Sequence, residues 1–283
     1  MTRLSPYRFA GGTAVVTGAA SGMGEQLAHG LAARGSHLVL LDRDAERLAT
    51  VVAAVRAASP AVDVSSVVVD LADRAATESV ADALVRDHPR ITLLINNAGV
   101  ALGGRFDQVT LEEFEWVLDI NLRAPVLLTH RLLPTLLASP GSHLVNVSSL
   151  YGLVAPPGQA AYSTSKFGIR GFSEVLRSEL APQGVGVTTV HPGGIKTRVA
   201  ESARVPAGAS AQEVADQRAR FAGLLTYPAD KAATEILEAV EKRQGRLLIA
   251  WSARIPDVLA RLLPASNMRV LGRLTELATR FRR

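Results

Sequence analysis

The sequence predicts an α/β fold in which helices cover both faces of a parallel sheet of about seven strands. Two observations predict it. Short aliphatic runs alternate with longer segments of helical periodicity, and the runs are apolar on both faces, as strands covered from both sides must be. The composition agrees, because 48% of the 283 residues are hydrophobic and only 20% are charged, which suits a large aliphatic core.

The predicted strands are short and rich in Val, Ile and Leu. They occupy residues 13–17, 37–41, 64–69, 91–95, 143–147, 185–190 and 246–250. The segments with helical periodicity between them are 22–34, 44–58, 74–87, 111–137, 159–181 and 229–242. This alternation is typical of a doubly wound, Rossmann-like sheet, which binds its ligands beyond the carboxyl ends of the strands.

No internal repeat or low-complexity linker interrupts the alternation, so we expect residues 1–253 to form one domain. Residues 194–227 follow the sixth strand without core-like periodicity, and we expect them to form a mobile lid. Residues 254–283 hold seven arginines and two acidic residues, an excess equal to the whole net charge of +5. We therefore expect a basic C-terminal helical extension on a main domain that does not bind nucleic acid.

The composition also excludes several kinds of chemistry. The chain has no cysteine, which excludes disulfides, zinc–thiolate sites and thiol nucleophiles, and no metal site is expected. The sequence contains no apolar run long enough to span a membrane and no signal-peptide pattern. A cytoplasmic protein is the expectation.

A glycine-rich segment, Gly18-Ala19-Ala20-Ser21-Gly22-Met23-Gly24, follows the first strand and opens the first helix. Glycines let the backbone approach a pyrophosphate, which then lies at the helix N-terminus. The spacing G-x-x-x-G-x-G differs from the G-x-G-x-x-G dinucleotide fingerprint, so a plain glycine-rich turn is the alternative. The flanking strand and helix favour a dinucleotide site. Its expected contacts here are Gly18, Ser21, Gly22, Met23 and Gly24.

Asp42 follows the second strand, 24 residues after Gly18, where a carboxylate can accept hydrogen bonds from the adenosine ribose. The same charge would repel a 2′-phosphate by about 4 kcal/mol at a separation of about 4 Å and an effective dielectric of about 20. Arg43 indicates the opposite preference, because a guanidinium can clamp a phosphate, although it also suits a solvated helix start. We therefore expect Asp42 and Arg43 to flank NAD, with NADP as the alternative.

Polar and small residues also follow the third and fourth strands. Asp70-Leu71 could cap the next helix, and Asn96-Asn97-Ala98-Gly99 could form a turn. Their positions at the carboxyl ends of strands also suit contacts with a cofactor. The residues alone leave both interpretations open.

Beyond the fifth strand, Ser149 is followed after 13 residues by Tyr162 and then by Lys166. Tyr162 and Lys166 lie on one helical face, and an ammonium beside a phenol favours the phenolate. Moving a tyrosine pKa from about 10 toward about 7 takes roughly 4 kcal/mol, to which a positive nicotinamide would contribute. Tyr162 is therefore predicted to be the general acid/base, with Ser149 hydrogen-bonded to the reacting oxygen.

These motifs occur together in the order and spacing of the short-chain dehydrogenases/reductases, which the sequence resembles over most of its length. The resemblance extends over residues 13–197 and 229–250, and it indicates the compact, single-domain branch of the family. The motifs that carry it are Gly18/Gly22/Gly24, Asp70, Asn96–Gly99, Asn121, Ser149, Tyr162, Lys166, and Pro192-Gly193 with Thr197.

The resemblance implies further cofactor contacts. Asp70 would contact the adenine. The other contacts would be Leu71, Asn97, Ala98, Gly99, Pro192, Gly193, Ile195 and Thr197. The backbone of the Asn-Ala-Gly segment would line the cofactor groove, and the residues after the sixth strand would hold the carboxamide, so that one nicotinamide face points at the substrate.

The resemblance also implies a catalytic tetrad of Asn121, Ser149, Tyr162 and Lys166. Asn121 would lie at a helix irregularity and hold a water in a proton relay to Lys166. Lys166 would in addition grip the nicotinamide ribose. All four residues are present.

Three residues near this site have simpler interpretations. His191 could be catalytic, but we expect a packed histidine at a strand end, because Tyr162 already supplies the acid/base. Tyr151 could stack on a substrate, or form a cleft wall or subunit contact. Trp251 is expected in the core or in an interface.

The expected function is NAD-dependent interconversion of a secondary alcohol and a ketone or aldehyde. The presumed cleft walls, residues 100–106, 150–157 and 194–227, are mostly aliphatic with few fixed charges, which favours an apolar or bulky neutral small-molecule substrate. The alternatives are an NADPH-dependent carbonyl reductase of the same family and, less favoured, a non-catalytic dinucleotide-binding scaffold.

The long apolar helices predict a homodimer or homotetramer, as in relatives. The extension contains two apolar helical stripes. The first comprises Ile255, Val258, Leu259, Leu262 and Leu263, and the second comprises Leu271, Leu274, Leu277, Ala278 and Phe281. We expect both to dock on the protein's own body or on a sister subunit, with an anionic membrane surface as the alternative.

Overall fold

The computed structural model describes residues 4–198, 203–210, 212–215 and 223–272. Seven strands in this part of the chain form one parallel sheet: β1 (Thr13–Thr17), β2 (His37–Asp42), β3 (Val64–Val68), β4 (Ile91–Asn96), β5 (His143–Val147), β6 (Gly186–Pro192) and β7 (Arg246–Ile249). Their order across the sheet is β3-β2-β1-β4-β5-β6-β7. The chain order reverses between β1 and β4, which opens a crevice at the carboxyl ends of these strands.

Helices cover both faces of this sheet: α1 (Gly22–Ala32), α2 (Ala45–Ala58), α3 (Arg74–Asp87), α4 (Leu111–Leu118), α5 (Ala124–Ala138), α6 (Ala160–Leu180), α7 (Ala229–Glu241) and α8 (Trp251–Leu262). Aliphatic side chains on one face of the sheet pack against α1, α2 and α7. Those on the other face pack against α3, α5 and α6. The two apolar layers confirm the predicted doubly wound α/β fold, and all seven predicted strands are present.

β3 departs from the prediction that every strand is apolar on both faces. Its central residues include Ser65 and Ser66, and Val68 is 57% exposed. The reason is its position in the sheet. β3 is an edge strand, covered mainly by α2, so alternate side chains point to solvent.

The helix predicted over residues 111–137 is divided by one π-helical turn, Asp119–Arg123. α4 begins at a capping box in which Thr110 and Glu113 each accept a backbone N–H of the other, and α5 continues after the wider turn. π-Helical turns insert an extra residue and are frequent at functional sites. This one contains Asn121, where the family resemblance implies an irregularity.

Buried amides align the centre of the sheet. Asn96 of β4 and Asn146 of β5 are register partners. The Asn96 amide donates to Asn146 Oδ1 at 2.8 Å and to Thr129 Oγ1 of α5 at 3.2 Å. Asn146 in turn donates to Ser173 Oγ of α6 at 2.9 Å. Because a buried polar group without a partner is costly, these bonds align two strands with two helices.

α8 contacts the body of the protein through an ion pair and a small side chain. Arg246 of β7 donates two hydrogen bonds to the Asp257 carboxylate, and Ala253 is fully buried. The stripe that was expected to dock lies on the opposite side of the helix. Its exposed side chains are Ile255 (53%), Val258 (52%), Leu262 (72%) and Leu263 (38%).

This first stripe therefore does not dock on the protein's own body, whereas docking on a sister subunit, the other part of the prediction, stays a prediction. An amphipathic pattern shows which residues share a face, and here the Arg246–Asp257 pair turns the other face toward the sheet. Trp251 is 72% exposed, so it does not lie in the core, and the interface position that the sequence also allowed stays a prediction. The second predicted stripe, apart from Leu271, lies outside the described residues. No helix in the described ranges has both the length and the apolar composition needed to cross a membrane.

Candidate active site

A cleft of about 390 Å³ opens at the carboxyl ends of the strands. The glycine-rich segment and the residues directly after β2, β3 and β4, as far as Gly99, form one half, which we call the cofactor half. The substrate half consists of Val100, the residues after β5, β6 and β7, Tyr162 and Lys166 of α6, and described residues of the predicted lid. The cleft lies where the doubly wound sheet is predicted to hold its ligand.

Most residues predicted to contact the cofactor line this cleft. They are Gly18, Ser21, Gly22, Met23, Asp42, Arg43, Asp70, Leu71, Asn97, Ala98, Gly99, Tyr162, Lys166, Pro192, Gly193, Ile195 and Thr197. Ser149 lines it as well. Two of the predicted site residues, Gly24 and Asn121, lie behind the wall, and each has a structural explanation.

Gly24 has a packing role, which corrects the expectation that all three glycines of the segment contact the cofactor. A Cβ on Gly24 would overlap the carbonyl oxygen of Gly18. A Cβ on Gly18 would lie 2.8 Å from Ala98 Cα, and its φ of +67° is one that other residues rarely adopt. Gly24 therefore lets α1 begin directly behind the turn, while Gly18 forms the cleft surface.

Asn97 holds the glycine-rich segment against β4. Its side-chain amide donates to the carbonyl oxygens of Thr17 at 3.0 Å and Gly18 at 3.2 Å. Thr17 Oγ1 accepts the backbone N–H groups of Asn97 at 3.1 Å and Ala98 at 3.0 Å. From sequence only a backbone contact by Asn97 was expected. The side-chain clamp was missed because its partners lie about 80 residues away.

Asp42 is anchored by backbone groups on two sides. Its Oδ2 accepts the N–H of Ala20 at 2.9 Å, and its Oδ1 accepts the N–H of Asp44 at 3.0 Å. Each carboxylate oxygen has a second acceptor site, so the fixed side chain can still accept from a ligand hydroxyl. The described environment thus presents a negative charge at the carboxyl end of β2, with Arg43 and Arg47 on the same wall.

Ser149, Tyr162 and Lys166 come together in the substrate half. Lys166 Nζ donates to the carbonyl oxygen of Val147 at 2.9 Å and lies 5.7 Å from the centre of the Tyr162 ring. Ser149 makes a side-chain hydrogen bond with Tyr162, and its Oγ accepts the N–H of Tyr151 at 3.1 Å. α6 therefore presents the tyrosine and the lysine on one face, beside the end of β5, as their spacing predicts.

Burial controls the ionisation of this pair. It lowers the pKa of the Lys166 ammonium from 10.5 to about 8. It also raises the pKa of the Tyr162 phenol above its usual 10.0, and the hydrogen bond with Ser149 opposes this only in part. The prediction that Lys166 brings the tyrosine pKa toward neutrality is wrong for the protein's own residues, because loss of hydration is the largest influence on the pKa of the phenol.

Asn121 is buried behind the cleft with its side chain fully engaged. Its amide donates to the carbonyl oxygen of Val100 at 3.0 Å and to Ser165 Oγ at 3.1 Å, and its Oδ1 accepts the N–H of Val100 at 2.8 Å. Asn121 Oδ1 and Lys166 Nζ both lie 3.3 Å from where a Cβ on Gly99 would be. The π-helical turn therefore positions Asn121 close to Lys166, on the side away from the cleft.

The wall of the substrate half is more apolar than that of the cofactor half. It includes Val100, Leu150 and Tyr151 from the predicted walls, and Leu224 and Leu225 from the predicted lid. Tyr151 packs edge-to-face on Tyr162, with ring centres 6.0 Å apart, which supports a cleft-wall position. Sequence reasoning missed Ser252, although its place just after the last strand was an available signal.

His191 lies behind Ser149 instead of in the cleft. Its imidazole is completely buried, and Nδ1 is 3.1 Å from the carbonyl oxygen of Ser149. Burial lowers the pKa of His191 to about 4, so the ring is neutral near pH 7. These observations agree with a packed histidine at a strand end, with one difference: Nε2 has no hydrogen-bond partner among the described residues.

The described part of the predicted lid contacts the body through polar side chains and through one aromatic ring. Arg105 pairs with Glu213, and the Glu113 carboxylate accepts the N–H of Ala207. Arg204 pairs with Leu102 as an isolated bridge, and its guanidinium stacks 3.7 Å from the centre of the Trp116 ring. Ile195 forms a bridge with Tyr227, which brings the two ends of residues 194–227 together. These contacts place the described part of residues 194–227 against α4 and the segment before it, and a mobile lid stays a prediction.

The chain is similar in sequence to known oxidoreductases. The sequence profile of the short chain dehydrogenase family matches residues 12–207. A Mycobacterium tuberculosis protein named as an oxidoreductase, SadH, is 40% identical over 266 residues, which cover 93% of this chain and 95% of that protein.

Two solved structures resemble this one over nearly their whole length. The NAD complex of a short-chain dehydrogenase/reductase from Burkholderia phymatum superimposes with a TM-score of 0.82 at 28% identity, covering 90% of this chain and 94% of that one. The NADPH complex of a Sphingobium yanoikuyae short-chain dehydrogenase gives 0.74 at 29% identity, covering 87% and 92%. Both NAD and NADPH therefore occur among structures of this shape.

Proposed function

Because the chain belongs to the short-chain dehydrogenase family of NAD(P)-binding oxidoreductases, we propose that it interconverts a secondary alcohol and a ketone or aldehyde, with NAD(H) as cofactor. The observation that carries this proposal is the meeting of Ser149, Tyr162 and Lys166 in the same cleft as the glycine-rich segment. A hydroxyl, a phenol and an ammonium at one point are the groups that moving a proton to or from an alcohol oxygen requires.

The cofactor half fits a nicotinamide dinucleotide. Gly18 and Gly22 of the glycine-rich segment bring the backbone to the cleft surface at the N-terminus of α1, where a pyrophosphate is stabilised. Asp42 would hold the adenosine ribose, and Asp70 with Leu71 would border the adenine. Lys166 would contact the nicotinamide ribose, and the residues from Pro192 to Thr197 would hold the carboxamide. When bound, the nicotinamide supplies the hydride acceptor or donor.

The remaining steps belong to the protein's own side chains. As the phenolate, which the positive charge of a bound nicotinamide would favour, Tyr162 accepts the hydroxyl proton during oxidation. As the phenol it returns a proton during reduction, while Ser149 donates a hydrogen bond to the same substrate oxygen. Lys166, whose pKa of about 8 lies close to neutral pH, passes the proton onward. Asn121 fixes the geometry of this relay from the π-helical turn.

Asp42 supports NAD(H) over NADP(H). The two backbone N–H groups that bind its carboxylate hold a negative charge at the carboxyl end of β2, and a 2′-phosphate there would meet that charge. The alternative, an NADPH-dependent carbonyl reductase, is supported by Arg43 and Arg47 on the same wall and by the NADPH complex among the similar structures. A non-catalytic dinucleotide-binding scaffold would not need Ser149, Tyr162 and Lys166 together.

The apolar substrate half supports a bulky, neutral substrate. Its wall presents Val100, Leu150, Tyr151, Leu224 and Leu225, which favour hydrocarbon and ring surfaces. A small carboxylic acid or a phosphate would need a paired cation. Of the two cations on this side of the described cleft, Lys166 and Arg198, Lys166 is assigned to the nicotinamide ribose in this proposal.

The direct test is turnover of secondary alcohols, ketones and hydroxysteroids with each cofactor, followed by nicotinamide absorbance and accompanied by calorimetric binding of NAD(H) and NADP(H). We expect turnover of an apolar member with NAD(H). Failure of both cofactors to bind would overturn the proposal. Tight cofactor binding without turnover of any member would favour the scaffold alternative.

We also propose a homodimer or homotetramer in which α6 contributes to the interface. Phe167 and Val175 are 39% and 55% exposed, and the exposed Gly171 lies between them at helical spacing. An apolar stripe with a small central residue allows another copy to approach closely. A light-scattering mass near the 29.9 kDa of one chain at micromolar concentration would contradict this assembly. Val175→Arg should lower the measured mass.

A further inference from the structure

α8 presents an apolar face to solvent. Trp251, Ile255, Val258 and Leu262 follow one another at intervals of four, three and four residues, so they lie along one side of the helix. Their side chains are 72%, 53%, 52% and 72% exposed. The opposite side of the helix carries the buried Ala253 and Asp257, which bind α8 to the body. We call these four residues the outward apolar face.

Arginines border this face. Arg254 and Arg261 each follow a member of the face by three residues, which places both along one of its margins. Both are exposed, and the Arg254 guanidinium lies 5.5 Å from the centre of the Trp251 ring. Arg261 Nε lies 3.2 Å from Asp257 Oδ2, a carboxylate that it shares with Arg246, so the three side chains together keep one positive charge. The sequence from residue 254 onward holds seven arginines and two acidic residues. An apolar face with cations at its margin therefore belongs to the most basic part of the chain.

The outward apolar face begins at the mouth of the cleft. Ser252, next to Trp251 in sequence, lines the cleft, and its Oγ accepts the N–H of Gly194 at 3.2 Å. Leu224 also lines the cleft, and it is 58% exposed. The entrance to the substrate half and the start of α8 thus share one side of the molecule.

We propose that the outward apolar face docks on an anionic lipid membrane surface, with the mouth of the cleft turned toward the bilayer. Trp251 matches the headgroup level, where tryptophan is enriched, and the aliphatic side chains enter the boundary of the acyl chains. The arginines at the margin face anionic headgroups. In this orientation an apolar alcohol or ketone enters the cleft directly from the bilayer; this part of the proposal rests on the proposed function.

Charge favours a membrane over another copy of this chain as the occupant. A two-fold pairing of the outward apolar faces would bring the Arg254 and Arg261 side chains of both copies together, along with two basic extensions. Like charges at such a contact repel each other. Anionic headgroups neutralise the same arginines, and a lipid surface accommodates a single isolated helix face.

The test is co-sedimentation of the full chain with vesicles of phosphatidylcholine alone and of phosphatidylcholine mixed with phosphatidylglycerol. We expect binding to the anionic vesicles at least tenfold tighter than to the neutral ones, and weaker binding at high salt. Ile255→Ser with Leu262→Ser should reduce binding at least tenfold. Val68→Ser with Leu111→Ser is the matched control, because those side chains are 57% and 75% exposed elsewhere on the surface.

Three results would overturn the proposal: no binding to anionic vesicles, equal binding of the variant and the control, or a drop in oligomeric mass of the variant by light scattering. The last would assign the face to another copy of the chain. Calorimetric cofactor binding and turnover of a water-soluble alcohol are measured on the same variant and should not change. If these fail in the unaltered protein as well, the proposed function is at fault while the vesicle result still stands.

Discussion

The two halves of the cleft are held in place by different kinds of contact. In the cofactor half, polar side chains bond directly to the backbone of neighbouring segments, as Asn97 does with Thr17 and Gly18. In the substrate half, the lid meets the body through the stacking of Arg204 on Trp116 and through exposed polar contacts, namely Arg105 with Glu213 and the Glu113 carboxylate with the N–H of Ala207. The cofactor is the same for every substrate, which suits a rigid hydrogen-bonded frame. The side chains of the substrate half can differ between enzymes that act on different substrates without altering that frame.

Tyr162 is the predicted acid/base and also a predicted cofactor contact, so removal of its hydroxyl should give the largest effect on turnover. Tyr162→Phe keeps the ring but deletes the proton-transfer group, and turnover should fall by about 10²- to 10⁴-fold. The Kd for NAD(H), measured by calorimetry, should change little. Tyr151→Phe is the matched control, because its ring packs on Tyr162 without a predicted proton transfer. Retention of most turnover by Tyr162→Phe would remove the assigned acid/base.

The buried ammonium of Lys166 should leave a signature in stability as a function of pH. Its pKa is about 8 in the folded protein and 10.5 ordinarily, so the folded state carries the cost of a buried charge below about pH 8. As the pH rises from about 8 to 10.5, the native lysine loses its proton first, and stability should rise. The rise is roughly 3 kcal/mol.

Lys166→Met isolates this contribution, because subtracting its unfolding free energy from that of the unaltered protein cancels most other titrating groups. The unfolding free energy of the unaltered protein minus that of the variant should increase across this pH window, as measured by urea unfolding at each pH. A flat difference would show that Lys166 keeps an ordinary pKa. The same variant should bind NAD(H) more weakly, since it loses the predicted ribose contact.

The contrast between the two frames can be tested by one substitution in each. Asn97→Ala removes both bonds to the glycine-rich segment and should cost about 1–3 kcal/mol of unfolding free energy, together with weaker NAD(H) binding. Arg204→Ala should change the KM for substrate with a smaller effect on unfolding, since an exposed cation–π contact contributes about 0.5–1 kcal/mol. Equal losses of unfolding free energy in the two variants would show that the contacts of the lid stabilise the protein as much as those of the cofactor half.

Substitution of Asp42 should give the smallest of these effects, a change in the preference of the cofactor half for NAD(H) over NADP(H). We expect NAD(H) to bind at least about tenfold more tightly than NADP(H), a difference of about 1.4 kcal/mol. Asp42→Ser removes the charge and should narrow this ratio, as measured by calorimetry with both cofactors. Comparable dissociation constants in the unaltered protein would instead assign the dominant role to Arg43.

The features that sequence predicts well are local. The seven strands follow from short aliphatic runs, and the positions of Asp42 and Ser149 at the cleft follow from their places just after strand ends. Tyr162 and Lys166 share one face of α6 because they are four residues apart, and their place at the cleft follows from the family resemblance. A strand end and the residue after it are adjacent in the chain, so their relation does not depend on the rest of the fold. Ser252 belongs to the same class, and the same reasoning finds it.

The features that sequence misses depend on contacts between distant segments. Whether β3 is covered on both faces depends on the strand order, which places it at an edge. The packing role of Gly24 depends on how closely α1 approaches the turn. The outward direction of the α8 stripe depends on the ion pair between Asp257 and Arg246, and the raised pKa of Tyr162 depends on burial.

The amide pair of Asn96 and Asn146 has a consequence for how faithfully the chain assembles. If β5 slipped by one residue against β4, Ser149 would move by about 3.3 Å and turn to the opposite face of the sheet. The same slip would separate the two amides and leave buried polar groups without partners. The misaligned sheet would therefore be inactive and less stable than the native one, so these bonds favour the native register over the slipped register.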